Sequence, residues 1–68
     1  MGRKRGSMNY EVVESKNHPG FWYAIKYFDG KRQGNVENPN PIDGMRNYLF
    51  ASEKEATDAA VEAGYKPF

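Results

Sequence analysis

Cysteine is absent from this chain, which excludes disulfides and thiolate metal sites. His18 is the single histidine, so a histidine-rich metal site is excluded too. No apolar run approaches the ~18 residues of a membrane span, and no signal-peptide pattern is present. These absences predict a protein of the cytoplasm with no membrane partner, no metal and no cofactor. With 68 residues the chain forms one domain at most. A domain of that size buries only ~60% of its unfolded surface. Reinforcement has to come from aromatics, which make up 15% of the residues, or from self-association.

The formal net charge of +1 is unevenly distributed. "MGRKRGS" holds three cations and no anion, whereas residues 8–68 hold seven Lys and Arg against nine Asp and Glu, a net of −2. Gly6-Ser7 before Met8 reads as a cloning junction, which would make residues 1–7 a tag. The other reading is a natural basic arm for nucleic acid. Residues 8–68 then form the folded domain.

"NYEVVES" (9–15) has the β-preference of a first strand, and "KNHPG" turns the chain after it. "FWYAIKYF" (21–28) is the second strand, with five aromatics and one charge. Asp29-Gly30 suits a two-residue hairpin turn, so a third strand runs from Lys31 to about Val36. "ENPNPIDGMR" (37–46) is a loop, because its prolines, asparagines and Asp-Gly break regular structure. "NYLF" (47–50) is a short fourth strand or continues the third.

At Ser52 the period changes. Ser52 and Glu55 form a capping box, and Ala56, Ala59, Ala60 and Ala63 recur on one helical face. Gly64 ends the helix, and "YKPF" trails off with Tyr65 and Phe68 folding back on the core. The predicted fold class is α+β: a three- to four-stranded antiparallel sheet in β-β-β-(β)-α order, with one C-terminal helix on one face.

Nothing in the sequence pairs a nucleophile with a base. Ser7 and Ser15 lie in no motif, Ser52 serves as a cap, and His18 sits in a turn where an exposed imidazole is expected. Glu11 and Glu14 fall on opposite faces of a strand. Glu53, Glu55, Asp58 and Glu62 fall on the outer face of the helix. Gly30 and Gly34 make no phosphate loop. No catalytic residue is expected, and the chain does not read as an enzyme.

What remains is a combination of aromatics and cations. Trp22, Lys26 and Phe28 share one face of the second strand, with Lys31, Arg32 and Arg46 near its ends. Such a set suits a protein-binding hot spot, or base stacking with phosphate contacts. Lys26 suggests which way the face points. An unpaired ammonium under the helix would cost several kcal/mol, although a long stem can snorkel out at a sheet edge. Lys26 outward carries Trp22 outward with it and turns Phe21 and Ile25 toward the alanines.

"FWYAIKYFDGKR" with "FASEKEATDAA" resembles the arm-type DNA-binding domain at the start of tyrosine integrases. That family combines a W-x-A/V strand, a D-G-K-R hairpin and an F-x-T-x-x-E-A start to its helix. The resemblance implies DNA binding, with Trp22 and Ala24 turned inward. Tyr23, Ile25 and Tyr27 stand where that family projects basic residues. The sheet followed by Ser52, Lys54, Glu55, Ala56, Ala59 and Ala60 is also similar to the later part of double-stranded-RNA-binding domains, which implies RNA binding. The pattern also resembles small phage-encoded inhibitors of host machinery, which have one sheet, one helix, an acidic to neutral charge and no active site.

The reading that best fits a net −2 body is a small non-catalytic protein-binding module. It would dock on a partner or on itself through the sheet face opposite the helix, as an accessory or inhibitory protein of bacterial or phage origin. The alternative is a nucleic-acid-binding domain of the integrase-arm or double-stranded-RNA-binding type. Phosphate neutralisation supplies most non-specific affinity, so the acidic body weighs against it.

Overall fold

The computed structural model describes residues 7–68. The expected tag or arm at 1–7 therefore lies, apart from Ser7, outside the described residues. The chain forms β1 (Met8–Glu14), β2 (Trp22–Phe28), β3 (Lys31–Asn35), α1 (Glu53–Glu62) and β4 (Lys66–Pro67). The strands make one four-stranded sheet in the order β3-β2-β1-β4. β1, β2 and β3 are antiparallel neighbours, and β4 runs parallel to β1. The fold is α+β with a C-terminal helix, and the sheet is mixed rather than purely antiparallel. No helix among the described residues is long and apolar enough to cross a membrane.

The β2–β3 hairpin turns where Asp29-Gly30 demands it. Both residues take positive φ, 52° and 83°, as a mirror-image turn requires. Past the turn the register slips between Lys26 and Tyr27, leaving Gln33 as an extra residue on β3. Gly34, at φ 133°, supplies the backbone freedom for this bulge. The bulge has a consequence for side chains. Arg32 pairs across from Tyr27 and Asn35 across from Ile25, so residues three apart share one face of the sheet.

The 37–46 segment is an irregular loop, as expected, but it is tied down. Asn38 donates through Nδ2 to the Leu49 carbonyl at 2.9 Å, and its amide donates to the Asn47 carbonyl at 2.7 Å. Its Oδ1 accepts from the Asn40 amide at 2.9 Å. Residues 47–50 do not form a strand. Only Phe50 enters the ladder, as a bridge opposite Trp22, where it prolongs the β3 edge of β2. Leu49 beside it is fully buried.

Ser52 caps α1, its hydroxyl accepting from the Glu55 amide at 3.2 Å. At the other end Tyr65 N–H donates to the Ala60 carbonyl and Gly64 N–H to the Val61 carbonyl, a Schellman motif. Gly64 takes φ 93° to make it, with Ala63 as the cap. The motif turns the chain back toward the sheet, and Lys66–Pro67 then line up beside Asn9 and Tyr10. Tyr65 packs on the core as expected, but Phe68 remains 67% exposed.

The helix packs across β1 and β2. Its Ala56 and Ala60 lie in one buried cluster with Tyr10, Ala24, Val36 and Phe50, and Val12, Trp22, Ala59 and Tyr65 pack around it. Ala24 is 0% exposed. This arrangement corrects the expected orientation: Trp22, Ala24 and Lys26 face the helix, while Tyr23, Ile25 and Tyr27 face away. The reason is volume. Alanines on both layers let helix and sheet approach closely, and the large rings of Tyr10, Trp22 and Phe50 fill the space beside that contact. Lys26 is accommodated by snorkelling. A Cβ placed on Gly34 would sit 3.9 Å from Lys26 Cε, so the stem runs over the glycine at the sheet edge. It lines a cavity there with Glu37 and Glu62.

Candidate binding face

The face of the sheet turned away from the helix is built by strand alternation. β1 contributes Asn9, Glu11 and Val13, each opposite Tyr27, Ile25 and Tyr23 of β2. β3 contributes Arg32 and Asn35 through its bulge. Tyr48 arrives from the loop and Phe68 from the end of β4. Two aromatic pairs frame the surface. Tyr23 and Tyr48 meet edge to face with ring centroids 5.7 Å apart, and Tyr27 and Phe68 lie tilted at 4.6 Å. Ile25, 7% exposed, is the buried residue between them.

Polar side chains on this face are held in place. Tyr27 donates its hydroxyl to Glu11 Oε1 at 3.1 Å. Desolvation by its neighbours, then the bond and charge of Glu11, raise the Tyr27 phenol above its usual value, and Arg32 partly offsets this. Arg32 donates from Nη2 to Asn35 Oδ1 at 3.3 Å, which fixes the guanidinium at the rim. A concavity of about 510 Å³ opens between Val13, Tyr23, Ile25, Arg32, Asn35 and Tyr48. Beside it Glu14 is already engaged: its Oε2 accepts from the Gly20 amide at 2.9 Å in the β1–β2 turn. His18 in that turn is half-buried rather than exposed, and its amide donates to Ser15 Oγ at 3.2 Å.

The six residues expected to bind a partner do not form one patch. Trp22 and Lys26 lie on the helix side, where Trp22 packs on the core. Phe28 is 43% exposed at the end of β2, across from Lys31. Arg32 stands on the open face, and Arg46 is exposed in the loop. The open face instead gathers Tyr23, Tyr27, Tyr48 and Phe68, none of which was among the six expected binding residues. The signal available was Ala24. A small residue is needed wherever an alanine helix touches the sheet, and that sends its neighbours Tyr23 and Ile25 to the other side.

Comparison with protein families, with curated proteins and with solved structures finds no match.

Proposed function

We propose that the chain is a small non-catalytic module that binds a partner protein through the sheet face opposite the helix. An accessory or inhibitory protein of a bacterial or phage system fits this description, and a cysteine-free chain suits the cytoplasm. One observation carries the reading. The open face presents Tyr23, Tyr27, Tyr48 and Phe68 around the buried Ile25, with Arg32 fixed at its rim. Tyrosine and arginine are the residues that dominate binding hot spots, because they combine large contact area with hydrogen bonding. Charge on the face is mixed, since Tyr27 has Glu11 on its β1 side and Arg32 on its β3 side. A polyanion would meet both signs.

Nucleic-acid binding is the second reading, favoured by tyrosines on which bases could stack beside Arg32. The cations it would use are divided: Lys26 lies on the helix side, and Arg46 lies in the loop.

One experiment separates the two. The full chain and three variants serve as bait in host lysate, with and without nuclease. A protein retained by the parent and by Glu62→Lys, but lost with Tyr23→Lys and with Arg32→Glu, supports the reading if nuclease has no effect. Loss of capture on nuclease treatment assigns the face to nucleic acid. Equal capture by every bait overturns both.

A further inference from the structure

The row of side chains through Ile25 on the open face carries opposite charges at its two ends. Ile25 pairs with Glu11 on β1 and with Asn35 on β3, so these two side chains flank it. Arg32 donates from Nη2 to Asn35 Oδ1 at 3.3 Å, which holds its guanidinium in that same row. An anion therefore stands on one side of Ile25 and a cation on the other. Both Glu11 and Arg32 are exposed, and neither forms an ion pair among the described residues.

This layout is self-complementary. Two sheets packed face to face keep their strands within about 30° of each other. Identical chains most often pair about a two-fold axis. An axis along β2 exchanges left and right but leaves height along the strand unchanged. β1 of each copy then lies over β3 of the other, and each row meets its own row. Glu11 of each copy faces Asn35 and the Arg32 guanidinium of the other, and the contact is made twice. One row along, Val13 of each copy is carried over the concavity beside Tyr23 and Tyr48. An axis across the strands lays β1 on β1 instead. It gathers both Glu11 carboxylates on one side and both Arg32 guanidiniums on the other, where like charges repel. A 68-residue domain buries only ~60% of its unfolded surface, so covering Tyr23, Tyr27 and Tyr48 would add to a small core.

We propose that the protein forms a symmetric dimer through its open faces, with the two-fold axis along β2 and Glu11 of each copy paired to Arg32 of the other. The proposal rests on the reading that the open face is the binding face, and names a second copy as its occupant.

Sedimentation equilibrium of the full chain over a concentration series tests it. The mass should rise from 7.8 kDa toward twice that value. Arg32→Glu and Glu11→Arg each set like charges together at both contacts, and each should raise the dimer dissociation constant about tenfold. The double variant restores the pairing with its signs exchanged and should return the constant to near that of the parent. Glu62→Lys, on the helix, should change nothing. A folding defect is separated from a lost contact, because the double variant regains association only if the two charges meet. A chain monomeric at every concentration, single variants without effect, or a double variant weaker than both singles would each overturn the proposal. The lysate experiment reads capture of a different protein, so a monomeric chain that still captures one keeps the binding face and loses only its second copy.

Discussion

Trp22 and Phe50 exchange both backbone hydrogen bonds, Trp22 N–H to the Phe50 carbonyl at 2.9 Å and Phe50 N–H to the Trp22 carbonyl at 2.7 Å. This pair closes the long loop onto the β3 edge of β2 and seats the Phe50 ring, 2% exposed, among Tyr10, Ala24 and the helix alanines. Phe50→Ala should therefore cost about 3–5 kcal/mol, through lost burial and the cavity left behind. That is a large part of the stability of so small a domain. Urea denaturation checks it. A loss below ~1 kcal/mol would mean that the ring is not part of the core.

Trp22 is a packing residue on the helix side, not the exposed anchor that its neighbour Lys26 suggested. Trp22→Ala should lower stability by about 3 kcal/mol. Tyr23→Ala, one residue along and on the open face, should cost clearly less. Denaturation midpoints of the two variants give the answer, and the reverse order would restore the outward orientation of Trp22.

The helix ends should respond separately. Ser52→Ala removes the acceptor for the Glu55 amide and should cost ~1 kcal/mol. Gly64→Ala forces a Cβ into the left-handed region at φ 93° and should cost about 1–2 kcal/mol, although nothing lies within 4 Å of the new atom. Thermal melts followed by circular dichroism would show both. An unchanged Gly64→Ala would argue against the Schellman turn that directs the chain to β4.

Tyr27 should leave a signature in alkaline solution. Its phenol is raised above its ordinary value of 10.0, so the folded state holds the proton more tightly than the unfolded chain does. The corresponding stability is complete below pH 10.0 and is lost as pH rises through the higher folded value. Tyrosinate absorbance should show Tyr27 titrating late, and Glu11→Gln should bring it back toward its ordinary value, since Glu11 contributes both a bond and a charge.

The local features of this fold were legible because local chemistry decides them. Asp29-Gly30 makes its turn through backbone conformation, and Ser52 caps the helix with its own hydroxyl. Each involves residues a few positions apart, so composition and spacing suffice. β4 was not legible, since two residues including a proline carry no strand pattern. They pair with β1 only because the Schellman turn after Val61 delivers them there. The 47–50 segment misled for a related reason. Its apolar residues are needed for burial at Leu49 and Phe50, and Asn38, far back in the chain, takes the backbone carbonyl that a strand would have used. The faces of β2 were settled by tertiary packing alone. Both faces of "FWYAIKYF" are apolar enough to be buried, so alternation could not choose between them. The choice fell to the fit of Ala24 against Ala56 and Ala60, and Lys26 followed by extending its flexible stem over Gly34. A strand's sequence sets which residues share a face. Only the volume of the layer packed against it determines which face is covered, and here that left the tyrosines on the open side.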